Sequence, residues 1–226
     1  MFQEFLIKPI YNFLIFIAGQ IPGHDLGISV LILVSAIRFL LWPLFNKATK
    51  SQVLMKKIQP EMERIKKVFK QDQLKQAEEL MKLYKENNFN PFSSIAVLFI
   101  QLPVLIALYQ VFLMVAKNGI DQSLLYPGVG FLTGFGTQLF GFLDLSKPNV
   151  FLAIFASLIQ ALASFLAAKG SRDLNSKVLL FVSPVMTMVI VMQLPSVMAW
   201  YWGLSTVFSI IQQLIIEKKI KNESRN

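Results

Sequence analysis

The 226-residue sequence contains no cysteine and only one histidine. Without cysteine there can be neither a disulfide framework nor a thiolate metal site. The histidine, His24, lies beside Pro22 and Gly23 in a loop, and a single loop histidine does not make a metal centre. We therefore predict no metal site and no bound cofactor.

Charged residues are also scarce, at 15% of the chain, against about 25% in ordinary soluble domains. Hydrophobic residues make up 54%, and the mean hydropathy is +0.55. They form continuous runs that, at about 1.5 Å per helical residue, cross about 30 Å of hydrocarbon or nearly so. The sequence predicts an all-α polytopic membrane protein with five transmembrane helices, over residues 26–44, 92–116, 150–168, 178–194 and 197–216.

The net charge of +9 would suggest nucleic-acid binding in a soluble protein, but its distribution indicates membrane topology. Residues 46–90 hold eleven Lys or Arg, residues 169–177 hold three and residues 217–226 hold four. Residues 117–148 hold only two lysines, and we expect them on the outer surface. Because basic loops stay in the cytoplasm, the pattern predicts an outside N-terminus and a cytoplasmic C-terminus, with no specific nucleic-acid recognition.

The N-terminal residues predict an amphipathic helix in the outer membrane interface, kinked near Pro9. Residues 2–17 place one set of apolar side chains on a single face: Phe2, Phe5, Leu6, Ile10, Phe13, Leu14 and Ile17. The opposite face is expected to be polar and contains Gln3, Glu4, Lys8, Tyr11 and Asn12.

Residues 46–90 form the only sizeable polar stretch, and their apolar residues recur every three or four positions. This spacing predicts two amphipathic helices folded as a cytoplasmic hairpin, with Pro60 in the first turn of a helix. The hairpin is either a solvated connector or a docking surface for a negatively charged partner. Its candidate docking residues are Lys56, Lys57, Arg64, Lys66, Lys67 and Lys70.

These features divide the chain into five segments. They are an extracytoplasmic interfacial helix and loop (1–24), the first transmembrane helix (25–45), the cytoplasmic hairpin (46–90), transmembrane helices two to five (91–216) and a cytoplasmic tail (217–226).

The first span contains a charge within the run ILVSAIRFLLWP, at Arg38. An arginine in hydrocarbon costs from a few to more than about ten kcal/mol, depending on how far water and lipid deform to meet it. All Asp and Glu residues lie outside the predicted spans or at their ends, so no carboxylate is expected at the depth of Arg38. A proton-coupled transporter would usually place an acid there.

Neutral polar residues recur at helical spacing on the other spans. Such residues also commonly mediate packing between membrane helices, and this role explains most of them individually. It does not explain an unpaired cation beside them. We therefore hypothesise a hydrated cavity open to the cytoplasm, in which water solvates Arg38 at rest. Its candidate lining residues are Ser35, Arg38, Gln101, Gln160, Trp202 and Thr206, on stripes that also include Ser157, Ser164, Ser205, Ser209 and Gln213.

Three motifs in order resemble the YidC membrane protein insertase family, whose relatives work in mitochondria and chloroplasts. They are AIRFLLWPLFNKATKSQVLMKKIQPEMERIKKVF, NPFSSIAVLFIQLPVLIALYQVF and YWGLSTVFSIIQQ. The resemblance covers about residues 27–216. Two positions depart from the family pattern: Val34 stands where many members have Thr, and Thr206 where Asn is usual.

The resemblance implies a five-helix core around a hydrophilic groove that opens to cytoplasm and lipid. It maps the groove arginine onto Arg38 and the aromatic position of the last span onto Trp202, next to Tyr201, with Gln101 and Gln160 as further groove residues. It implies a bacterial inner-membrane insertase and chaperone that acts without enzymatic chemistry. The implied partners are nascent membrane proteins, the ribosome, targeting machinery, the Sec translocon and membrane lipids.

Two other functions remain open from the residues alone. An anion transporter or channel could use Arg38 as its binding charge, although the neutral outer loops offer no matching basic funnel. A non-catalytic assembly subunit could instead pack its polar stripes against a partner protein. No ATP site is expected, because the sequence has no GxxxxGK[ST] motif.

Overall fold

The computed structural model describes residues 1–130, 136–168 and 174–223 of a predominantly helical chain. The predicted basic loop 169–177 therefore lies largely outside the described residues. A π-helical turn (Gln3–Ile7) and two 3₁₀ turns (Pro22–His24 and Gln122–Leu124) accompany the longer elements. These elements are α1 (Lys8–Gln20), α2 (Leu26–Leu40), α3 (Trp42–Val68), α4 (Gln73–Glu86), α5 (Pro91–Asn118), β1 (Gln138–Leu139), β2 (Leu143–Asp144), α6 (Val150–Ala168), α7 (Leu174–Val191) and α8 (Ser196–Glu223).

The helices form a bundle in which α8 is central. It packs against α2, α3 and α6, while α6 also packs against α7, and α5 packs against α3 and α1. Small residues allow close helix approach: a Cβ at Gly203 of α8 would lie 2.6 Å from the Phe155 ring of α6. The shared core includes Leu14, Leu33, Leu108, Ala153 and Ala199.

Two described helices, Val150–Ala168 and Ser196–Asn222, are long and apolar enough to cross a membrane, with mean hydropathies of 2.3 and 1.2. The pair Leu26–Leu40 and Trp42–Val68 passes the same test together, as one bent span. Shorter apolar helical stretches, Gln101–Val115 and Leu180–Val191, fall within the predicted second and fourth spans. The full count of five spans stays a prediction.

The first predicted span differs from the structure at its end. We expected helix to residue 44, but α2 ends at Leu40, and the chain bends by 72° before α3 begins at Trp42. Pro43 explains the bend, because it has no N–H to donate and its ring crowds the carbonyl four residues earlier. Leu41 adopts φ −90° and ψ 8° at the break.

Helices α3 and α4 pack together as a hairpin. Its core contains Ile58, Met62 and Phe89, with Leu80 and Tyr84 against them. Burial raises the pKa of the Tyr84 hydroxyl. The predicted place of Pro60 is wrong, since it lies inside α3 rather than in a first turn. Four of the apolar residues whose spacing predicted the hairpin are nevertheless exposed: Val68, Leu74, Ala77 and Met81.

The predicted faces of the N-terminal helix are partly wrong. Tyr11 and Asn12, expected on the polar face, are buried. Asn12 donates to Leu124 O at 2.8 Å, and the Tyr11 hydroxyl accepts the Asp121 N–H at 2.7 Å. These polar side chains are buried because the loop after α5 satisfies their hydrogen bonds.

The short β1–β2 ribbon packs against the end of the bundle where α2 and α8 begin. Leu139 lies over Gly27, where a Cβ would be 2.1 Å from the Leu139 Cδ1 atom. Leu145 is fully buried beside it, and its carbonyl accepts the Val197 N–H at 3.1 Å. This end of the described structure is therefore tightly packed.

Candidate functional site

Arg38 lies in the last turn of α2 and is only 6% exposed. Its Nη2 donates to the main-chain oxygen of Ser205 on α8 at 2.7 Å and also to the Ser205 hydroxyl. Both acceptors are neutral. The serine that follows one turn later, Ser209, donates its own hydroxyl to the same Ser205 oxygen at 3.1 Å.

The aromatic ring of Phe45 covers the guanidinium, with 4.3 Å between the Arg38 Cζ atom and the ring centroid. Phe45 is seven residues further along the chain, so a straight helix would separate it from Arg38 by about 10 Å along its axis. The bend before α3 turns Phe45 back onto the arginine. A cation over a ring face that is shielded from water gains about 2 kcal/mol.

The charge of Arg38 is not neutralised within the described part of the chain, where no carboxylate forms an ion pair with it. Its Nη1 atom is buried and has no hydrogen-bond partner there. We expected water to solvate the whole group at rest. Ser205 and Phe45 contact the group directly, and its hydration stays a prediction.

One open cavity of about 650 Å³ brings together six of the seven predicted groove residues. Ser35 is the exception, since it does not line the cavity and its hydroxyl donates to Leu31 O within α2 at 2.7 Å. The apolar wall of the cavity is formed by Leu102 and Leu105 of α5. The polar lining comes from Arg38, Gln101, Gln160, Tyr201, Trp202 and Thr206, together with Ser205 and Ser209.

Hydrogen bonds fix several of these side chains across helices. Gln101 of α5 donates to the Tyr201 hydroxyl on α8. The Trp202 indole N–H donates to the Gln160 side-chain oxygen on α6 at 3.2 Å. Thr206 bonds back to Trp202 O at 2.8 Å, as hydroxyl residues in membrane helices often do. The lining is therefore polar without any carboxylate.

A second open cavity, of about 730 Å³, adjoins the first and shares Gln160, Thr206 and Ser209 with it. Its other lining residues include Phe45, Thr49, Gln52, Ser164 and Gln213. Sequence reasoning missed Phe45, Thr49 and Gln52, because they lie beyond the bend. Phe45 is the last residue of the segment that we assigned to the first transmembrane helix, and Thr49 and Gln52 fall in the segment that we assigned to the hairpin. The only sequence feature that marked them was the Trp42-Pro43 pair, at which α3 begins.

The basic residues proposed for docking differ in their exposure. Lys56 is half-buried and donates to Leu166 O of α6 at 2.6 Å, so it is an internal contact rather than a free docking charge. The remaining five, Lys57, Arg64, Lys66, Lys67 and Lys70, are exposed. Within the described ranges, no group of His, Asp and Glu is placed to hold a metal ion.

The fold and this site define a class: a helical membrane protein whose buried arginine has no ion pair among the described residues and lies beside a polar cavity. A profile of the family described as 60Kd inner membrane protein matches residues 17–223. The chain belongs to this family, that of the YidC membrane protein insertases, and is an inner-membrane protein.

Individual relatives agree with this assignment. The protein named membrane protein insertase YidC of Fusobacterium nucleatum is 32% identical over 220 residues, 95% of this chain and 96% of that protein. Its namesake in Magnetococcus marinus is 32% identical over 225 residues, 97% of this chain. The chain spans only 37% of that second protein.

A solved structure is also similar. It is described as the active YidC insertase with its first transmembrane domain resolved, and it matches with a TM-score of 0.58 at 27% identity. The match covers 84% of this chain and 41% of that structure.

Proposed function

We propose that this chain is a membrane protein insertase that receives hydrophilic segments of nascent membrane proteins in the cavity around Arg38. The observation that carries the proposal is a buried guanidinium whose described contacts are all neutral, beside an open polar cavity. A cation that serves only the fold would be expected to have a buried carboxylate partner. Family membership and the names of the relatives support the same function.

The cavity lowers the cost of moving polar residues across the membrane. A hydrophilic tail in bare lipid must give up its hydration over about 30 Å of hydrocarbon, which is prohibitive for charged groups. The two cavities share three polar residues and so offer a continuous polar lining over part of this distance. Only the remainder has to be crossed without water.

The positive charge selects acidic segments. Because Arg38 lies in surroundings of low dielectric, its attraction for a carboxylate is several times stronger than in bulk water. The attraction must remain reversible, or the substrate would not leave the site. No covalent step and no bound cofactor are required for this cycle.

The apolar part of the substrate leaves towards lipid along α5. Leu102 lines the cavity and is 51% exposed. Its neighbours Phe99 and Ile106 extend the same exposed apolar surface. A transmembrane segment that binds beside Leu102 can therefore move from the cavity into lipid without crossing a polar wall.

The proposed orientation places the N-terminus outside, and the hairpin and C-terminus in the cytoplasm. The exposed basic residues of the hairpin then face the ribosome, targeting machinery or the Sec translocon, whose acidic surfaces they complement. The five predicted spans form the membrane core, and the tightly packed β1–β2 end closes the outer side.

The test uses the purified chain in proteoliposomes and two single-span substrates that differ only in their translocated tails. One tail carries aspartates and the other carries asparagines. Arg38→Ala and Arg38→Glu should lower insertion of the acidic substrate about tenfold, while the neutral substrate changes little. Ser35→Ala is the matched control, because its hydroxyl lies outside the cavity and should leave both substrates unaffected.

Wild-type insertion of the acidic substrate by both Arg38 variants would refute charge selection. Electrogenic anion flux through the same vesicles would instead favour a transporter or channel. Co-purification with one partner at fixed stoichiometry, without insertion activity, would favour an assembly subunit.

A further inference from the structure

A third, smaller cavity adjoins the 650 Å³ cavity at Arg38. Its volume is about 250 Å³, and its lining includes Val34, Ile37 and Val104, which do not line the larger cavity. Four residues line both cavities: Arg38, Gln101, Tyr201 and Ser205. These four side chains therefore form the boundary between the small cavity and the larger one.

Two hydrogen bonds close this boundary. The Gln101 side-chain amide of α5 donates to the Tyr201 hydroxyl of α8, and Arg38 Nη2 donates to Ser205 O at 2.7 Å. Arg38 is only 6% exposed, and its Nη1 atom is buried without a partner among the described residues. A group in the larger cavity does not reach Nη1 in this structure, so access to it requires the boundary to open.

The bond between Gln101 and Tyr201 is the easier of the two to break. Both of its partners are neutral, whereas the bond from Arg38 is charge-assisted, and such bonds are about twice as strong. Among the described residues it is the hydrogen bond that joins α5 to α8, since α5 packs mainly on α3, α1 and the N-terminal π-helical turn. Pro103 follows two residues later and removes the helical bond to the Phe99 carbonyl, which makes α5 easier to bend here.

We infer that the hydrogen bond between Gln101 and Tyr201 closes α5 against α8 over Arg38, and that hydrogen-bonding groups of the substrate open it by replacing its partners. This inference rests on the proposed insertase function and specifies how the site is opened. An amide and a phenol exchange partners with any neutral donor or acceptor, including a main-chain amide. The polarity of the arriving segment, and not its charge, therefore controls opening. A purely apolar segment leaves the bond intact and Arg38 covered.

Thiol labelling measures this opening, because the chain has no cysteine of its own. Val34 lines the small cavity and is 1% exposed, so Val34→Cys reports whether the boundary is open. Leu105 lines the larger cavity, so Leu105→Cys reports a site in front of the boundary. In proteoliposomes, a water-soluble methanethiosulfonate should modify Leu105→Cys rapidly and Val34→Cys slowly, because the reactive thiolate is disfavoured in apolar surroundings.

Gln101→Leu and Tyr201→Phe each remove the bond with little change in side-chain volume. Each should accelerate modification of Val34→Cys about fivefold, the scale of one neutral hydrogen bond, and leave Leu105→Cys unchanged. The double variant Gln101→Leu/Tyr201→Phe should be no faster than either single variant, because both changes remove the same bond.

Gln160→Leu is the matched control. It breaks the bond from Trp202 to Gln160 on the same larger cavity, but Gln160 does not line the small one. Modification of Val34→Cys should therefore keep its wild-type rate in Gln160→Leu. An unchanged rate in both Gln101→Leu and Tyr201→Phe would overturn the inference. Equal acceleration of Val34→Cys and Leu105→Cys would overturn it as well, because it indicates general loosening of the bundle.

A covalent bridge tests the need for opening. In Gln101→Cys/Tyr201→Cys, a short bifunctional methanethiosulfonate should hold α5 to α8. Insertion of both the aspartate-tail and the asparagine-tail substrate should then stop, and reduction should restore it to the level of the unbridged variant. The same reagent on Gln101→Cys alone is the control and should leave insertion unchanged.

The outcomes separate this inference from the proposed function. Insertion that continues through the bridged variant would overturn the opening step, whatever the Arg38 variants show. The labelling rates need no substrate, so they test the boundary independently of insertion. Unchanged selectivity in Arg38→Ala would instead overturn charge selection by the insertase.

Discussion

The Lys56 Nζ atom lies 3.3 Å from the carboxylate of Glu217, and this ion pair joins the hairpin helix α3 to the end of α8. The contact is part of a small network. Lys56 also donates to Leu166 O, and Gln213 donates to Glu217 at 2.9 Å. Leu166 lies in the last turn of α6, where carbonyl groups lack helical partners and the helix dipole favours a cation. The hairpin is thus attached to two helices that border the cavities.

Reversal of either charge should loosen this attachment. Lys56→Glu or Glu217→Lys should lower the free energy of unfolding by about 0.5–1 kcal/mol, the scale of a partly exposed pair. It should also accelerate tryptic cleavage within the hairpin. The measurements are thermal unfolding in detergent micelles and limited proteolysis.

The double variant Lys56→Glu/Glu217→Lys should recover part of the loss, since the ion pair is restored but the bond to Leu166 O is not. The exposed neighbour Lys57 is the control, and Lys57→Glu should leave unfolding unchanged. Identical behaviour of the single and double reversals would show that this pair does not hold the hairpin.

The β1–β2 end of the bundle depends on the contact between Gly27 and Leu139. A methyl group at Gly27 would overlap Leu139, whose Cβ and Cδ1 atoms would lie 2.7 Å and 2.1 Å from it. The Gly27 carbonyl also accepts the Trp200 indole N–H at 3.0 Å, so α2 has little freedom to shift. Gly27→Ala should therefore destabilise the protein by about 1–3 kcal/mol through overpacking.

A second substitution tests this cause. Leu139→Ala removes the closer overlap, that with Cδ1, although the Cβ contact remains, so the double variant should lose less stability than the two single losses added together. Gly130→Ala is the control, because nothing lies within 4 Å of a Cβ at that position. Strict additivity of Gly27→Ala and Leu139→Ala would argue against steric overlap.

Much of this fold and site follows from the sequence, and the exceptions share a cause. Apolar runs locate α6 and α8, and polar residues at helical spacing identify most of the cavity lining, because both depend on periodicity within one segment. The burial of Tyr11 and Asn12 depends instead on a loop about a hundred residues away. The contact of Phe45 with Arg38 likewise depends on the size of a bend, which local pattern does not supply.

Acid should weaken the β1–β2 end through Asp144. Hydrogen bonds from the Ser146 hydroxyl and N–H, at 2.6 and 2.9 Å, hold the pKa of the Asp144 carboxyl below its usual value. Because this pKa is lower in the folded state than in the unfolded chain, the ionised Asp144 carboxylate stabilises the folded state, and this stabilisation is fully present above the ordinary carboxyl pKa. It is lost as the pH falls through the lowered one.

The melting temperature of the wild type should therefore fall more steeply below about pH 4 than that of Asp144→Asn, which has no such titration. Thermal melts between pH 7 and pH 3 measure the difference. Parallel profiles for Asp144→Asn and wild type would exclude this contribution.

Pro43 should control the geometry of the site, because it ends α2 and so turns Phe45 onto Arg38. Pro43→Ala restores an N–H that can bond to the Phe39 carbonyl and removes the clash of the ring, so the 72° bend should open.

The two exposed positions Ile32 and Met55 flank the bend, and spin labels on cysteines introduced there report its angle as a distance. The Pro43→Ala variant should lengthen this distance and lose the preference for acidic tails, although Arg38 itself is unchanged. Pro60→Ala is the matched control, since Pro60 lies in α3 away from the cavities, and it should alter neither the distance nor the selectivity. An unchanged distance in Pro43→Ala would mean that tertiary packing of α3, rather than the proline, sets the bend.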